Sequence, residues 1–161
     1  MSPGIADLLI ACDIVVAGTK QILASISPER TITVLNTYQQ FPAAFSKNPD
    51  LTLPVGPIER AIRARSKPGS VHAIDATQLA TAWLGDAILA NVFMLGFAYQ
   101  AGGLPLSAEA LEQAIALNGA AVEANVNAFR LGRQGARPLC RAPRSTRARP
   151  HRANPPASRA P

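Results

Sequence analysis

Few residues in this chain combine type and spacing in a way that could do chemistry. The cysteines are Cys12 and Cys140, and His72 stands close before Asp75. Asp86 and Asn91 interrupt a long apolar stretch that also carries Trp83, Phe93, Phe97 and Tyr99. Two cysteines build neither a disulfide framework nor a four-cysteine metal site within one chain. Cys12 has nothing cationic nearby to stabilise a thiolate, so it reads as a small core residue. His72 beside Asp75 could act as a base, but with no nucleophile or metal partner it reads as structural. Asp86 and Asn91 read as a satisfied polar pair inside a core, and the four aromatics as core filling rather than a ligand-stacking platform. No G-x-G-x-x-G follows a strand, no phosphate loop carries a lysine, and Gly102-Gly103 reads as a helix terminator. No catalytic, cofactor-binding or metal-binding residue is therefore assigned.

The elements that would position such residues follow from periodicity. Asp13 to Ala17 (DIVVA) is β-rich and predicts a first strand, leading through Gly18 to a helix capped by Thr19 with Ile22, Leu23 and Ile26 on one face. Thr31 to Leu35 (TITVL) predicts a second strand ended by Asn36, and both runs are apolar enough to be buried on two faces, as in a parallel sheet. Pro42, Pro49 and Pro54 make residues 37–54 a loop or short helix near a binding surface. Val55, Ile58, Ala61 and Ile62 recur at helical spacing, and after Pro68-Gly69 a third strand is expected from Val71 to Asp75. One long apolar helix is expected from Ala76 to about Gln100, then a helix from Ser107 to Leu117 stopped by Asn118-Gly119. Val122, Val126 and Phe129 predict a last amphipathic helix from Ala120 to about Leu131. The fold class expected is α/β: a partial doubly wound parallel sheet of about three strands, a helical cluster, and a disordered basic tail.

Charge divides the chain at the same place. Residues 1–129 hold 7 Lys and Arg against 10 Asp and Glu, a net −3, whereas residues 130–161 hold 9 Arg and no acid. Basicity therefore belongs to the tail. The apolar stretch Leu79 to Tyr99 is long enough to suggest a membrane span, but Asp86 and Asn91 near its middle favour a buried core helix. The first residues lack the basic region of a signal peptide, and a cytoplasmic location is expected.

Four segments together resemble the γ-type domain of 2-oxoacid:acceptor oxidoreductases, especially the C-terminal part of the indolepyruvate:ferredoxin type. They are ADLLIACDIVVAG (Ala6 to Gly18), TVLNT (Thr33 to Thr37), IDATQLATAWLGDAILANVFMLGFAYQ (Ile74 to Gln100) and PLSAEALEQAIALNGAAVEANVNAFRLGR (Pro105 to Arg133). The resemblance implies an enzyme that decarboxylates aryl 2-oxoacids oxidatively to acyl-CoA. Thiamine diphosphate with magnesium and [4Fe-4S] clusters would be held by other domains, and electrons passed to ferredoxin. Thiamine diphosphate sites use Gly-Asp-Gly to help hold the magnesium, and here Gly85-Asp86 is followed by Ala87, so no cofactor is expected on this chain. The family's Gly-rich strand-to-helix turn does not precede Ala6, which makes the chain an expected fragment without catalytic residues.

The expected division is residues 1–132 as part of that domain and 133–161 as a disordered Arg/Pro/Ala-rich tail. From Arg130 onward the chain counts 9 Arg, 6 Pro, 6 Ala and 2 Gly, all residues encodable with G and C alone, so a shifted reading frame in GC-rich DNA would yield it. Finding the tail in frame in close relatives would sink that hypothesis. The expected partners are other domains or subunits of the oxidoreductase, with ferredoxin reached through the assembled enzyme and no membrane. The alternative is a stand-alone α/β domain whose tail binds nucleic acid or anionic surfaces non-specifically through phosphate contacts.

Overall fold

The computed structural model describes residues 3–38 and 55–141, with side chains through Ala136. Three short apolar strands form one parallel sheet in the order β1-β2-β3: β1 is Leu8–Ala11, β2 Ile32–Asn36 and β3 Val71–Ile74. Two short helices, α1 (Ile14–Ala17) and α2 (Lys20–Ser25), join β1 to β2, and α3 (Val55–Arg65) precedes β3. After β3 come α4 (Ala76–Leu84), a single 3-10 turn (Ala87–Leu89), α5 (Ala90–Gln100), α6 (Ala108–Asn118) and α7 (Val122–Arg141). The expected partial doubly wound sheet followed by a helical cluster is what the chain forms.

The central strand explains the layering. Successive strand residues point to opposite faces, and Val34 and Leu35, both fully buried, enter different cores. Leu35 joins Ala11, Ile14, Ala17, Ile26 and Ile62 on the side of α1, α2 and α3. Val34 joins Ile74 and the helical residues Phe93, Met94, Phe97, Ala98, Ala128 and Ala136 on the other.

The second core is set by one helix crossing. Helix α5 contains Phe93-Met94-Leu95-Gly96 and α7 contains Phe129-Arg130-Leu131-Gly132, the same Phe-x-Leu-Gly spacing twice. The contact is reciprocal. A Cβ on Gly96 would collide with the Phe129 carbonyl, and one on Gly132 with the Phe93 carbonyl. Only the missing side chains let the two backbones meet, and that approach buries Phe93 and Phe129 completely. Helix α6 lies outside this pair. It is capped by Ser107, whose Oγ accepts from the Ala110 N–H at 3.1 Å, and stopped at Gly119 with φ +74. Arg130 reaches across from α7 to Glu112 with two bonds, at 3.0 and 2.6 Å, and holds that carboxyl below its ordinary pKa.

Several expectations need correction. The run DIVVA is not a strand: the Asp13 carboxylate accepts from the N–H groups of Val15 and Val16 at 2.7 and 3.2 Å. That bonding starts α1 despite two β-branched valines, and the strand is the preceding LLIA. Thr19 stands at the N-cap of α2 without a side-chain cap bond. The single long helix from Ala76 to Gln100 is two helices. Gly85 adopts φ +80 and donates to the Thr81 carbonyl to end α4, while Asp86 Oδ1 accepts from the Ile88 N–H at 2.9 Å to start the 3-10 turn. Asp86 and Asn91 are consequently exposed, not a buried pair. Helix α7 runs to Arg141, past its expected end at Leu131. Residues 39–54 of the proline-rich loop and residues 142–161 of the tail lie outside the described residues.

The crossing yields a graded test. Gly96→Ala and Gly132→Ala should each lower unfolding free energy by about 2 kcal/mol or more, because the colliding atoms are backbone and cannot turn aside. At Gly135 a Cβ would meet only ring edges, Phe93 at 3.4 Å and Trp83 at 3.8 Å. Gly135→Ala should therefore be neutral or stabilising by up to about 1 kcal/mol, the usual helix-interior gain. Urea denaturation followed by circular dichroism reads all three.

Candidate functional site: the cleft at the carboxyl end of the sheet

Open α/β sheets bind ligands beyond the carboxyl ends of their strands. A cleft of about 390 Å³ lies there, lined on its polar side by Cys12, Asp13, Asn36, Tyr38, Thr77 and Asn91 and on its apolar side by Ile14, Val15, Ala87, Ile88 and Ala90. It gathers the ends of β1 and β2 and the starts of α1, α4 and α5.

Asn36 organises this end. Its amide nitrogen donates to the Cys12 carbonyl at 3.3 Å and to Thr77 Oγ1 at 3.0 Å. Its amide oxygen accepts from the N–H groups of Ala76 at 3.1 Å and Tyr38 at 3.2 Å. One buried side chain thus ties the end of β1, the exit of β2 and the first turn of α4. It is a strut with every valence committed, not a group waiting for a ligand.

The helix starts around the cleft are closed in the same way. Unpaired N–H groups at such a start ordinarily attract phosphate. Here Asp13 takes those of Val15 and Val16, Asp75 takes that of Gln78 at 2.8 Å, and Asp86 takes that of Ile88. A carboxylate occupies the seats an anion would use at the starts of α1, α4 and the 3-10 turn, and no Lys or Arg among the described residues lines the cleft. These residues do not fit a diphosphate, which would meet like charge at the starts of α1, α4 and the 3-10 turn.

The residues singled out by sequence separate into different surroundings. Cys12 lies exposed on the cleft rim, not in the core, because the strand ends one residue before it. Partial desolvation still pushes its thiol above the ordinary pKa, which disfavours the reactive thiolate. His72, on β3, rests against the Phe97 ring with centroids 5.5 Å apart. Asp75 is the cap of α4 and is committed there. Phe93 and Phe97 are core, but Trp83 is 53% exposed at the end of α4, touching Phe93 edge-on at 6.0 Å. Tyr99 is half-buried against Phe129, with the Arg133 guanidinium 5.0 Å above its ring. The structure therefore brings together Cys12, Asp13 and Asn91 at the cleft and leaves His72 and the aromatics elsewhere.

Sequence reasoning missed Asn36 as an organiser, seeing in it only a strand end; Asn-Thr after an apolar strand was the available signal. It also missed the repeated Phe-x-Leu-Gly. Among the described residues no group of three or more His, Cys, Asp or Glu is placed to hold a metal. No described helix is long and apolar enough to cross a membrane. A family model described as pyruvate ferredoxin/flavodoxin oxidoreductase matches residues 1–135. No curated protein and no solved structure matches the chain.

Two measurements check this geometry. Asn36→Ala should cost about 2–3 kcal/mol, because the Ala76 N–H is left buried without its acceptor, and chemical denaturation would read it; a loss under 0.5 kcal/mol would remove the strut role. With Cys140→Ser as background, Cys12 should react with iodoacetamide more slowly than free cysteine at pH 7, since less of it is thiolate. The rate should climb towards that of free cysteine only as pH rises above the thiol's raised pKa.

Proposed function

Because the chain belongs to the pyruvate ferredoxin/flavodoxin oxidoreductase family, we propose that it is a non-catalytic structural part of a thiamine-diphosphate-dependent member of the indolepyruvate type. Such an enzyme decarboxylates aryl 2-oxoacids to acyl-CoA, and thiamine diphosphate, when bound, supplies the electron sink for the carbanion. Iron-sulfur clusters then carry single electrons to ferredoxin. In this reading those groups belong to other domains or subunits of a cytoplasmic assembly. The packed α/β unit extends through α7, which carries buried Ala136 past the expected boundary at 132, and the rest of the chain is a basic tail without a catalytic part.

One observation carries the structural role: the polar groups at the strand ends bond to one another. Asn36, Asp13, Asp75 and Asp86 each satisfy main-chain donors of this chain. A site that prepays its electrostatics for a substrate holds donors towards the place where charge develops. Here those donors are consumed internally. The indolepyruvate assignment is supported by the combined segments Ile74 to Gln100 and Pro105 to Arg133, which resemble that type.

Calorimetric titration of the chain with thiamine diphosphate and Mg²⁺ should give no saturable heat, and a binding isotherm would overturn the non-catalytic role. The assembled oxidoreductase should reduce ferredoxin faster with indolepyruvate than with pyruvate. The reverse preference would overturn the subtype while leaving the family membership standing.

A further inference from the structure

The cleft beyond the strand ends has a neighbour of matching make-up. A second cleft, of about 590 Å³, lies where the end of α4 meets the first turn of α7, and Trp83, Leu84, Leu89, Val122, Glu123 and Asn127 are among its lining residues. The 3-10 turn separates the two: Ala87 and Ile88 line the first cleft, and Leu89 the second. Each cleft combines one aromatic ring, one carboxylate, one exposed asparagine and an aliphatic wall. Tyr38, Asp13 and Asn91 supply the polar and aromatic groups in the first, and Trp83, Glu123 and Asn127 in the second. Among the described residues no Lys or Arg lines either cleft.

These groups are open to a ligand. The rings of Tyr38 and Trp83 belong to residues 44% and 53% exposed, and Ile88 on the turn is 77% exposed. Asp13 spends one oxygen, Oδ1, on both of its capping bonds, which leaves Oδ2 and the negative charge to the cleft. Among the described residues no hydrogen bond or ion pair engages the side chains of Glu123, Asn91 or Asn127. Anions meet like charge in both places, so the chemistry that fits is a cation with an apolar stem and a flat head that stacks on a ring. Arginine has all three attributes. Its methylene stem packs on the aliphatic wall, the guanidinium lies on the ring, and its fork of donors meets the carboxylate.

We propose that the paired clefts receive two arginine side chains from one segment of a partner protein, laid across the 3-10 turn. Charge complementarity sets the partner's chemistry: two carboxylates without a cation, one in each cleft, call for a ligand that is basic at two points. The apolar surface selects a polypeptide over a small polyamine. Exposed Ile88 and Val15 stand at the first cleft, and the residues between the two arginines would cover them as the centre of an interface does. This inference rests on the reading of the chain as a part of a larger assembly.

Trp83 is the single tryptophan of the chain, so its fluorescence reports on the second cleft. The full chain is titrated with capped alanine-serine peptides carrying two arginines three or four residues apart, with their citrulline counterparts, and with spermine. An arginine peptide should shift the emission saturably, and its citrulline counterpart, which lacks the charge, should bind at least about tenfold more weakly. Asp13→Asn, which keeps the helix cap, and Glu123→Gln should each weaken binding several-fold with an unchanged circular dichroism spectrum. Glu29→Gln, at an exposed acid that lines neither cleft, should leave binding unchanged. No saturable shift at millimolar peptide, equal binding of the citrulline form, or an equal loss in Glu29→Gln would overturn the proposal. Spermine binding as tightly as the peptide would make a small polyamine the occupant and overturn it too. So would an emission shift, without any peptide, on changing Arg144, Arg147, Arg149, Arg152 and Arg159 to serine, since the chain's own tail would then fill the clefts. These readouts involve neither cofactor nor 2-oxoacid, so their failure is distinguishable from failure of the oxidoreductase reading.

Discussion

Everything on one side of the sheet depends on two helices approaching backbone to backbone. Gly96 on α5 and Gly132 on α7 lie against each other's Phe carbonyls, and no other residue type fits at either place. Glycine in a helix interior destabilises it by about 0.5–1 kcal/mol relative to alanine. The burial of Phe93, Phe97 and Phe129 that the approach allows is the larger effect, since each fully buried apolar side chain contributes about 1.5–3 kcal/mol. That packed pair covers Val34 and Ile74 of the sheet, so the layer order and the position of the strand ends are consequences of the crossing.

At the carboxyl end the same chain consumes several of the groups that could have bound a ligand. Asn36 ties two strand exits to the first turn of α4, and three aspartates close the neighbouring helix starts. This is the place where α/β folds usually put their chemistry. Here Asn36 and the aspartates are committed to holding the fold, which supports the structural role proposed for this part of a 2-oxoacid:ferredoxin oxidoreductase.

The sequence made the sheet's parallel class, β2, β3, the Ser107 cap and the Gly119 stop legible, because each is a local signal. The first strand was misplaced because Ile14, Val15 and Val16 favour a strand intrinsically. The Asp13 side chain, a contact not expressed in hydrophobic periodicity, bends them into a helical turn. The break at Gly85-Asp86 carried an ordinary stop and start signal, but the apolar residues on both sides masked it. Trp83 and Cys12 were read as core since apolar and small residues usually are, yet both sit where an element ends. Of the cleft, Asn91 and Cys12 stand out in the sequence, whereas the role of Asn36 emerges only when elements distant in sequence meet.

The most direct measurement is steady-state turnover of a 2-oxoacid by the assembled oxidoreductase carrying Asp13→Asn, Tyr38→Phe and Asn91→Ala in this chain. Asparagine still caps a helix as aspartate does, so the fold is preserved while the chemistry of the cleft is altered. A structural role predicts kcat and KM within about twofold of the unaltered enzyme, a change of less than about 0.5 kcal/mol in the barrier. A fall in kcat of about a hundredfold with assembly intact would contradict it and place the cleft in the catalytic machinery.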